Sequence, residues 1–443
     1  MADMVIIVSY FSFLLGLGVI VANILKKYKI PDAFILLLVG LVCGPTIWKH
    51  PAVARYVQLV IVDVDAMSVV PDFLRTLALV IIVFTGAFNL DLNELKRVSD
   101  ISISLAFMLV FLNTVFLGLA AKFIFKLDLV PALLIGAILS GTDAGVVFTY
   151  EKVLKGKKKA LSILKVESIL NSPLSVLIPI LLLDLLRMTP GSIIEPLLYV
   201  SQFWQMIIGG IGSGVVLGFV LSKILNKMLK EYTPLLIFSM ALLTYAFTEL
   251  VHGSGMLAVA VAGFIIGNMV FPHKEAVREF HDEFSEMLRI SVFTLLGAQI
   301  ALDLNPYLIL VEFLFALLVF FIRPIFVIFL TRDLKKEMDY ESMSLIKYLA
   351  PRGIAAAAMA PIAAGAIATG NQEIMNIVFT AVFFTLLFNT IVVNLINSGK
   401  MLMYKERYER TKAPVASFFR KRYEDLRSGE EEEETIEDEG GYL

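Results

Sequence analysis

Residues 140–173 read SGTDAGVVFTYEKVLKGKKKALSILKVESILNSP: two apolar stretches joined by a basic turn, with Asp143 inside the first and Glu167 inside the second. Both stretches are apolar enough to belong to membrane spans. A carboxylate at bilayer depth costs at least ~2.5 kcal/mol on insertion scales, so one retained there marks a site rather than a surface. The rest of the chain reads as the scaffold that holds these two groups.

Of the 443 residues, 58% are hydrophobic and 18% charged, and the mean hydropathy is +0.82. That is more apolar surface than one soluble core buries, which predicts a multi-spanning membrane protein. The 28 glycines and 33 phenylalanines suit closely packed helices that face lipid, and the alternating segments of a barrel are missing, so the expected fold class is all-α. Cys43 is the single cysteine, which excludes a disulfide framework or thiolate metal site within one chain, and His50, His252, His273 and His281 have no ligand spacing. The sequence shows no nucleophile–base pair or phosphate loop, so neither an enzyme nor a cofactor is expected. The net charge of -2 arises because the acidic block Glu430–Glu434 offsets lysines and arginines lying between the spans; it gives no support to a nucleic-acid partner.

A helix needs ~20 residues to cross the hydrocarbon. On that scale about thirteen spans are expected, near 4–25, 31–48, 72–90, 101–121, 130–153, 163–186, 197–223, 233–251, 254–272, 285–302, 305–330, 343–368 and 373–397. The first lacks a basic leader and a cleavage site and is read as a span; residues 53–70 are apolar but interrupted and are assigned to an external connection. Alternate connections carry Lys26, Lys27 and Lys29; Lys96 and Arg97; Lys155 to Lys159; Lys223, Lys227 and Lys230; Lys274 and Arg278; and Arg332, Lys335 and Lys336. Positive charge accumulates on the cytoplasmic side, which places the N-terminus outside and the C-terminus inside the cell membrane. Residues 1–399 form the transmembrane domain. Residues 400–443 form a cytoplasmic tail, first basic and suited to anionic lipid, then acidic and expected to be disordered.

With the glycine-rich seventh span as a connector, spans one to six and eight to thirteen form two sets of six entering from opposite sides, the plan of an inverted-repeat transporter. In each set the fifth member is interrupted, by Gly141-Thr142-Asp143-Ala144-Gly145 in one and Ala350-Pro351-Arg352-Gly353 in the other. Interrupted helices at matching positions point to the substrate site. Asp143 suits two roles, a cap and dipole partner for half-helices or part of a cation site. On span six, Glu167, Ser168, Asn171 and Ser172 lie within an arc of ~140°, a face of oxygens suited to a hard cation. Arg352 is a permanent charge that needs a partner. Glu167 and Asp143 are the candidates, and a Glu167–Arg352 pair would hold the two halves of the site together. Lys165, Asp184, Glu249 with His252, Glu312 and Arg323 are further charges; Glu312 and Arg323 share one face of span eleven and face partners on neighbouring helices.

A Thr-Asp break in span five, an E-S-x-x-N-x-P segment in span six and a P-R-G break in span twelve resemble the monovalent cation:proton antiporters, in particular the NhaP-like sodium/proton exchangers of archaea and bacteria. KIPDAFILLLVGLVCGP and FTGAFNLDLNELKR resemble that family's early spans. The resemblance implies a thirteen-helix homodimer, with a core domain around spans five, six and twelve and a dimer domain containing spans one and seven. It implies exchange of Na+ or K+ for H+ by alternating access. Thr142, Asp143, Ser168, Asn171 and Ser172 would line the ion site, with Asp143 the candidate ligand of Na+ or K+ and Glu167 paired to Arg352. The family pattern has aspartate after the span-six asparagine, where this chain has Ser172, and a serine does not titrate in any accessible range. The exchanged proton then falls to Asp143, or next to Glu167. The alternative is an uncoupled cation pathway or a transport-inactive regulatory relative.

Overall fold

The computed structural model describes residues 2–27, 32–44, 69–154, 156–186, 196–225, 231–299, 305–331, 338–366 and 371–401. Residues 53–68 of the connection expected at 53–70, and the tail from 402 onward, lie outside the described residues, while Val69 and Val70 are helical. The secondary structure among the described residues is helical: α1 (Ala2–Lys27), α2 (Ala33–Cys43), α3 (Val69–Phe88), α4 (Leu92–Phe125), α5 (Leu129–Ile138), α6 (Ala144–Val153), α7 (Lys158–Leu186), α8 (Pro196–Leu225), α9 (Thr233–Leu250), α10 (Gly255–Gly267), α11 (Lys274–Gln299), α12 (Pro306–Leu330), α13 (Tyr340–Tyr348), α14 (Ile354–Ala366) and α15 (Asn371–Asn397). The chain divides into a unit of residues 1–393 and a second of 394–443.

Each expected span corresponds to one helix, except the fifth and twelfth, which are each two half-helices: α5 with α6, and α13 with α14. Among the described residues, seven helices are long and apolar enough to cross a membrane by themselves. Span ten departs most from expectation. Its helix α11 begins at Lys274, well before the apolar run. The early segment is amphipathic: Phe280 and Phe284 are stacked on one another and set edge-on to Phe238 of α9, so a charged helix turn is held by its buried face.

Close helix approach is obtained with glycine. A Cβ on Gly40 of α2 would lie 1.9 Å from the Thr294 carbonyl of α11, and one on Gly297 would lie 2.0 Å from the Leu37 carbonyl. In the other half, a Cβ on Gly267 of α10 would lie 2.0 Å from the Phe88 carbonyl of α3 and one on Gly263 2.8 Å from that of Phe84. Span two meets span ten as span nine meets span three, the relation that exchanging the two repeats requires. Without a hydrophobic drive between helices in lipid, such backbone-to-backbone packing is a main source of association.

The interruptions have local causes. The first half-helix of span five ends at Ile138, Gly141 lies in the unwound stretch, and Asp143 has an extended backbone as N-cap of α6. The first half-helix of span twelve ends at Tyr348 with Leu349 extended, and Pro351, which lacks an N–H and disfavours helical geometry at Ala350, keeps it from resuming there. The two unwound stretches cross and touch, with the Asp143 N–H donating to the Pro351 carbonyl at 2.8 Å.

Candidate ion site at the crossing of the broken helices

Four half-helix ends meet at the crossing, and their unpaired backbone groups must be satisfied by protein. Asp143 serves two N-termini. Its Oδ1 accepts from the Val146 N–H of α6 (2.9 Å) and its Oδ2 from the Ile354 N–H of α14 (2.6 Å). A Cβ on Gly353 would sit 2.1 Å from Oδ2, so only glycine there lets the α14 terminus reach the carboxylate. Arg352 serves the opposite pole: its Nη1 donates to the Ser140 and Gly141 carbonyls, both at 2.7 Å, where α5 ends. A negative group at two N-termini and a positive one at a C-terminus oppose the half-helix dipoles.

Span six supplies the rest. The Thr142 N–H donates to Asn171 Oδ1 (3.1 Å), Asn171 Nδ2 donates to Thr142 Oγ1 (2.7 Å), and the hydroxyls of Thr142 and Ser168 are 2.8 Å apart. The Ser172 hydroxyl donates to the Ser168 carbonyl (2.7 Å) and lies 3.3 Å from the Thr142 carbonyl. Thr142, Ser168, Asn171 and Ser172 are thus brought into one buried cluster of oxygens. Asp143 is adjacent in the chain, with its carboxylate turned to the two helix termini. The second repeat has a counterpart to Asn171 that the sequence reading passed over: Asn389 of α15 accepts from the Ala350 N–H (2.8 Å) in the break of span twelve.

The pairing expected of Glu167 is corrected. Its partner is Arg323 of α12, not Arg352: Arg323 Nη1 and Nη2 donate to Oε1 and Oε2, each at 2.6 Å. Both side chains are buried, at 0% and 1% exposure. Arg323 also donates from Nε to the Ile346 carbonyl near the end of α13 (3.1 Å), so it joins span six to the first half of span twelve. Arg352 is turned away by its bonds to Ser140 and Gly141. Its Nε and Nη2 are buried without a partner among the described residues. Two of the further intramembrane carboxylates accept hydrogen bonds. Glu249 accepts from the Gly255 N–H (2.7 Å) at the start of α10, and Glu312 accepts from the Thr380 hydroxyl (2.8 Å).

A cavity of about 300 Å³ lies between α3, α6, α7 and α11, on the side where α4 and α11 begin with Lys96, Arg97 and Lys274. Asn89, Thr149, Lys165, Asp282 and Glu286 line it, and so does Gly145, two residues from Asp143. At its wall Arg289 is held by Asp32 (2.9 and 2.7 Å) and by Glu286 (3.3 and 2.9 Å). This triad links the start of α2 to α11. The sequence reading missed it because Asp32 sits at a span boundary and Glu286 at what reads as the edge of span ten. A buried arginine on an otherwise apolar face was the available signal.

The solved sodium proton antiporter MjNhaP1 from Methanocaldococcus jannaschii has the same fold, with a TM-score of 0.71 at 23% identity, over 89% of this chain and 97% of that one. In sequence, the probable Na(+)/H(+) antiporter 2 of Methanocaldococcus jannaschii is 30% identical over 349 residues, 74% of this chain and 78% of that protein. The K(+)/H(+) antiporter NhaP of Alkalimonas amylolytica is 29% identical over 259 residues, 57% of this chain and 44% of that protein. Residues 11–397 match the transmembrane model of the sodium/hydrogen exchangers, and this match, over a fold of inverted repeats with crossed broken helices, makes the chain a member of the sodium/hydrogen exchanger family.

Proposed function

We propose that this protein exchanges a monovalent cation, Na+ or K+, for H+ by alternating access, with the cation held at the oxygen cluster of Thr142, Ser168, Asn171 and Ser172 beside Asp143. The observation that carries this reading is the convergence of those oxygens on the unwound stretch of span five, where hydroxyl and carbonyl groups can replace a cation's hydration shell. Relatives named as Na(+)/H(+) and K(+)/H(+) antiporters support it.

Asp143 is the group proposed to carry the exchanged proton. Protonating Glu167 would strand the buried Arg323, a loss on the scale of ~3–5 kcal/mol, whereas protonating Asp143 gives up one backbone N–H bond and leaves the other. Asp143 also lies behind Gly145, which lines the cavity. The positively charged connections make the cavity face cytoplasmic, with the N-terminus outside and the C-terminus inside. The exposed apolar faces of α1 and α8, with Phe13, Ile20, Trp204 and Ile208 outward, are proposed as the surface of a homodimer in the cell membrane.

The test is reconstitution in proteoliposomes with imposed Na+, Li+ or K+ gradients while internal pH is followed. Wild-type protein is expected to move protons against the cation, and Asp143→Asn, checked for folding by its elution and melting temperature, is expected not to. Exchange that persists unchanged in Asp143→Asn would remove Asp143 from the role. No pH change in the wild type with any of the three ions would remove the exchange reading itself.

A further inference from the structure

A glycine inside a helix lowers stability relative to alanine, so one found there answers to a backbone angle or to a neighbour. Gly86 lies in the last turn of α3, and the positive-φ glycines among the described residues are Gly156 and Gly399, so its backbone angle asks for nothing special. Its neighbour does. A Cβ on Gly86 would lie 2.6 Å from both Cε2 and Cζ of Phe148 on α6, while the next atom, Ile169 Cγ1, is an ordinary contact away at 3.6 Å. The tip of the Phe148 ring thus rests on bare α3 backbone, and the ring is what requires glycine.

Both residues line the cavity, and their places along its walls are ordered. On α6, Gly145, Phe148 and Thr149 share one helical face and all three line the cavity. Gly145 is the deep end: a Cβ there would lie 3.2 Å from Asp143 Oδ1 and 3.2 Å from Ile82 Cγ2 of α3. Phe148 stands one turn further from Asp143, so a cation moving along this face passes the ring. On α3, the lining stripe is Ile82, Thr85, Gly86, Asn89 and Leu90, and Gly86 is its one member without a side chain.

The two walls belong to different packing partners, α3 lying on α10 and α11, and α6 on α7. Closing the cavity means moving α6 and α7 against α3 and α11. A shift of about one turn along α3 takes the ring off Gly86 and onto Ile82, Asn89 or Leu90, where a side chain already stands, and the ring is turned into the passage. Resting on the exchange reading above, we propose that Phe148 is the gate between the cavity and the ion site, parked open on Gly86 in this structure and set across the passage when α6 leaves that seat. Gly86 is then a positioning residue, and its bare backbone couples closure of the passage to movement of the site helices.

The test reads access to the deep end of the cavity. In full-length protein carrying Cys43→Ser, Ile82→Cys places a thiol beside Gly145, and its reaction with a cationic methanethiosulfonate is timed in detergent. Gly86→Ala pushes the ring off its seat and is expected to slow labelling at least ~fivefold, the factor that the small end of an overpacking cost produces. Phe148→Ala removes the ring, so labelling at least as fast as in the parent is expected in Phe148→Ala and equally in Gly86→Ala/Phe148→Ala. Elution and melting temperature check that each variant is folded. A parent that does not label, labelling unchanged by Gly86→Ala, or slowed labelling that Phe148→Ala does not restore overturns the inference. Proteoliposomes separate the gate from exchange. A wild-type pH change under a cation gradient without the labelling pattern leaves exchange standing and removes the gate. The labelling pattern without any pH change keeps the ring as the barrier to the deep end and overturns exchange; the absence of both overturns both.

Discussion

The bidentate contact between Glu167 and Arg323 predicts a specific pattern of coupling. In Arg323→Gln, Glu167 keeps a charge at 0% exposure with one weak neighbour, Asn171 Nδ2 at 3.5 Å. The Ile346 carbonyl near the end of α13 loses its donor as well. Removing one partner of a buried pair costs ~3–5 kcal/mol, because the other charge is left unpaired in a low dielectric. Glu167→Gln strands Arg323 in the same way. The double variant Glu167→Gln/Arg323→Gln leaves no charge, so its loss is expected to be smaller than the sum of the two singles by about 2–3 kcal/mol. Arg352→Gln removes carbonyl bonds at the end of α5 and relieves repulsion between two arginines. Its coupling to Glu167→Gln is expected to be weaker than that of Arg323→Gln, since no hydrogen bond joins Arg352 to Glu167. The assay is equilibrium unfolding in mixed micelles over two mutant cycles. Strong coupling of Glu167 to Arg352, with none to Arg323, would rule out the Glu167–Arg323 pair.

Three further outcomes are expected. Gly353→Ala places a methyl 2.1 Å from Asp143 Oδ2 and should cost at least about 1–3 kcal/mol, read as a lower melting temperature, whereas Gly212→Ala, with nothing within 4 Å of the new atom, should be neutral or slightly stabilising. Asn389→Ala frees the Ala350 N–H in a buried place and should destabilise by about 1–3 kcal/mol, without the loss of cation binding expected of Asn171→Ala. Outside the spans, Lys157 is bonded to Asp339 and Glu341 (2.5 and 2.8 Å). Burial pushes the Asp339 carboxyl up, but the Lys157 ammonium and Ser342 outweigh it and hold it below its ordinary value. Burial likewise opposes the Lys157 charge, and its two carboxylate partners raise it overall. A depressed acid contributes stability above its unfolded pKa and loses it as pH falls through the folded one. A raised lysine loses its contribution only as pH rises through its folded value. The melting-temperature difference between wild type and Lys157→Gln should therefore be constant between about pH 5 and 9 and shrink below about pH 4.

The architecture was legible because length and apolarity decide spans, and glycine and proline decide breaks. Gly141 and Pro351 located both interruptions to within a few residues, the helices ending at Ile138 and Tyr348 and resuming at Ala144 and Ile354. The cluster of Thr142, Ser168, Asn171 and Ser172 was legible for a related reason: helical periodicity fixes which side chains of span six share a face, and the break offers that face something to satisfy. Partner choice was less accessible. Pairing Glu167 with Arg352 took the nearest charge in the motif, whereas depth decides contact. Glu167 lies nine residues from Lys158 at the start of α7, and Arg323 seven from Leu330 at the end of α12, both measured from the same basic face. Counting depth would have matched them. The Asp32–Arg289–Glu286 triad was hidden because Asp32 and Glu286 sit at the edges of spans two and ten, where a carboxylate reads as interfacial, although both side chains converge on Arg289.

In the proposed cycle Asp143 trades a proton for a cation bound at the neighbouring oxygens. Proton release on cation binding tests it most directly, by titrating purified protein with Na+ and with K+ by calorimetry in buffers of different ionisation enthalpy. The wild type should release a proton when the bound ion displaces it from Asp143, and Asp143→Asn should bind without buffer-dependent heat or fail to bind. Equal proton release from wild type and Asp143→Asn would contradict the account.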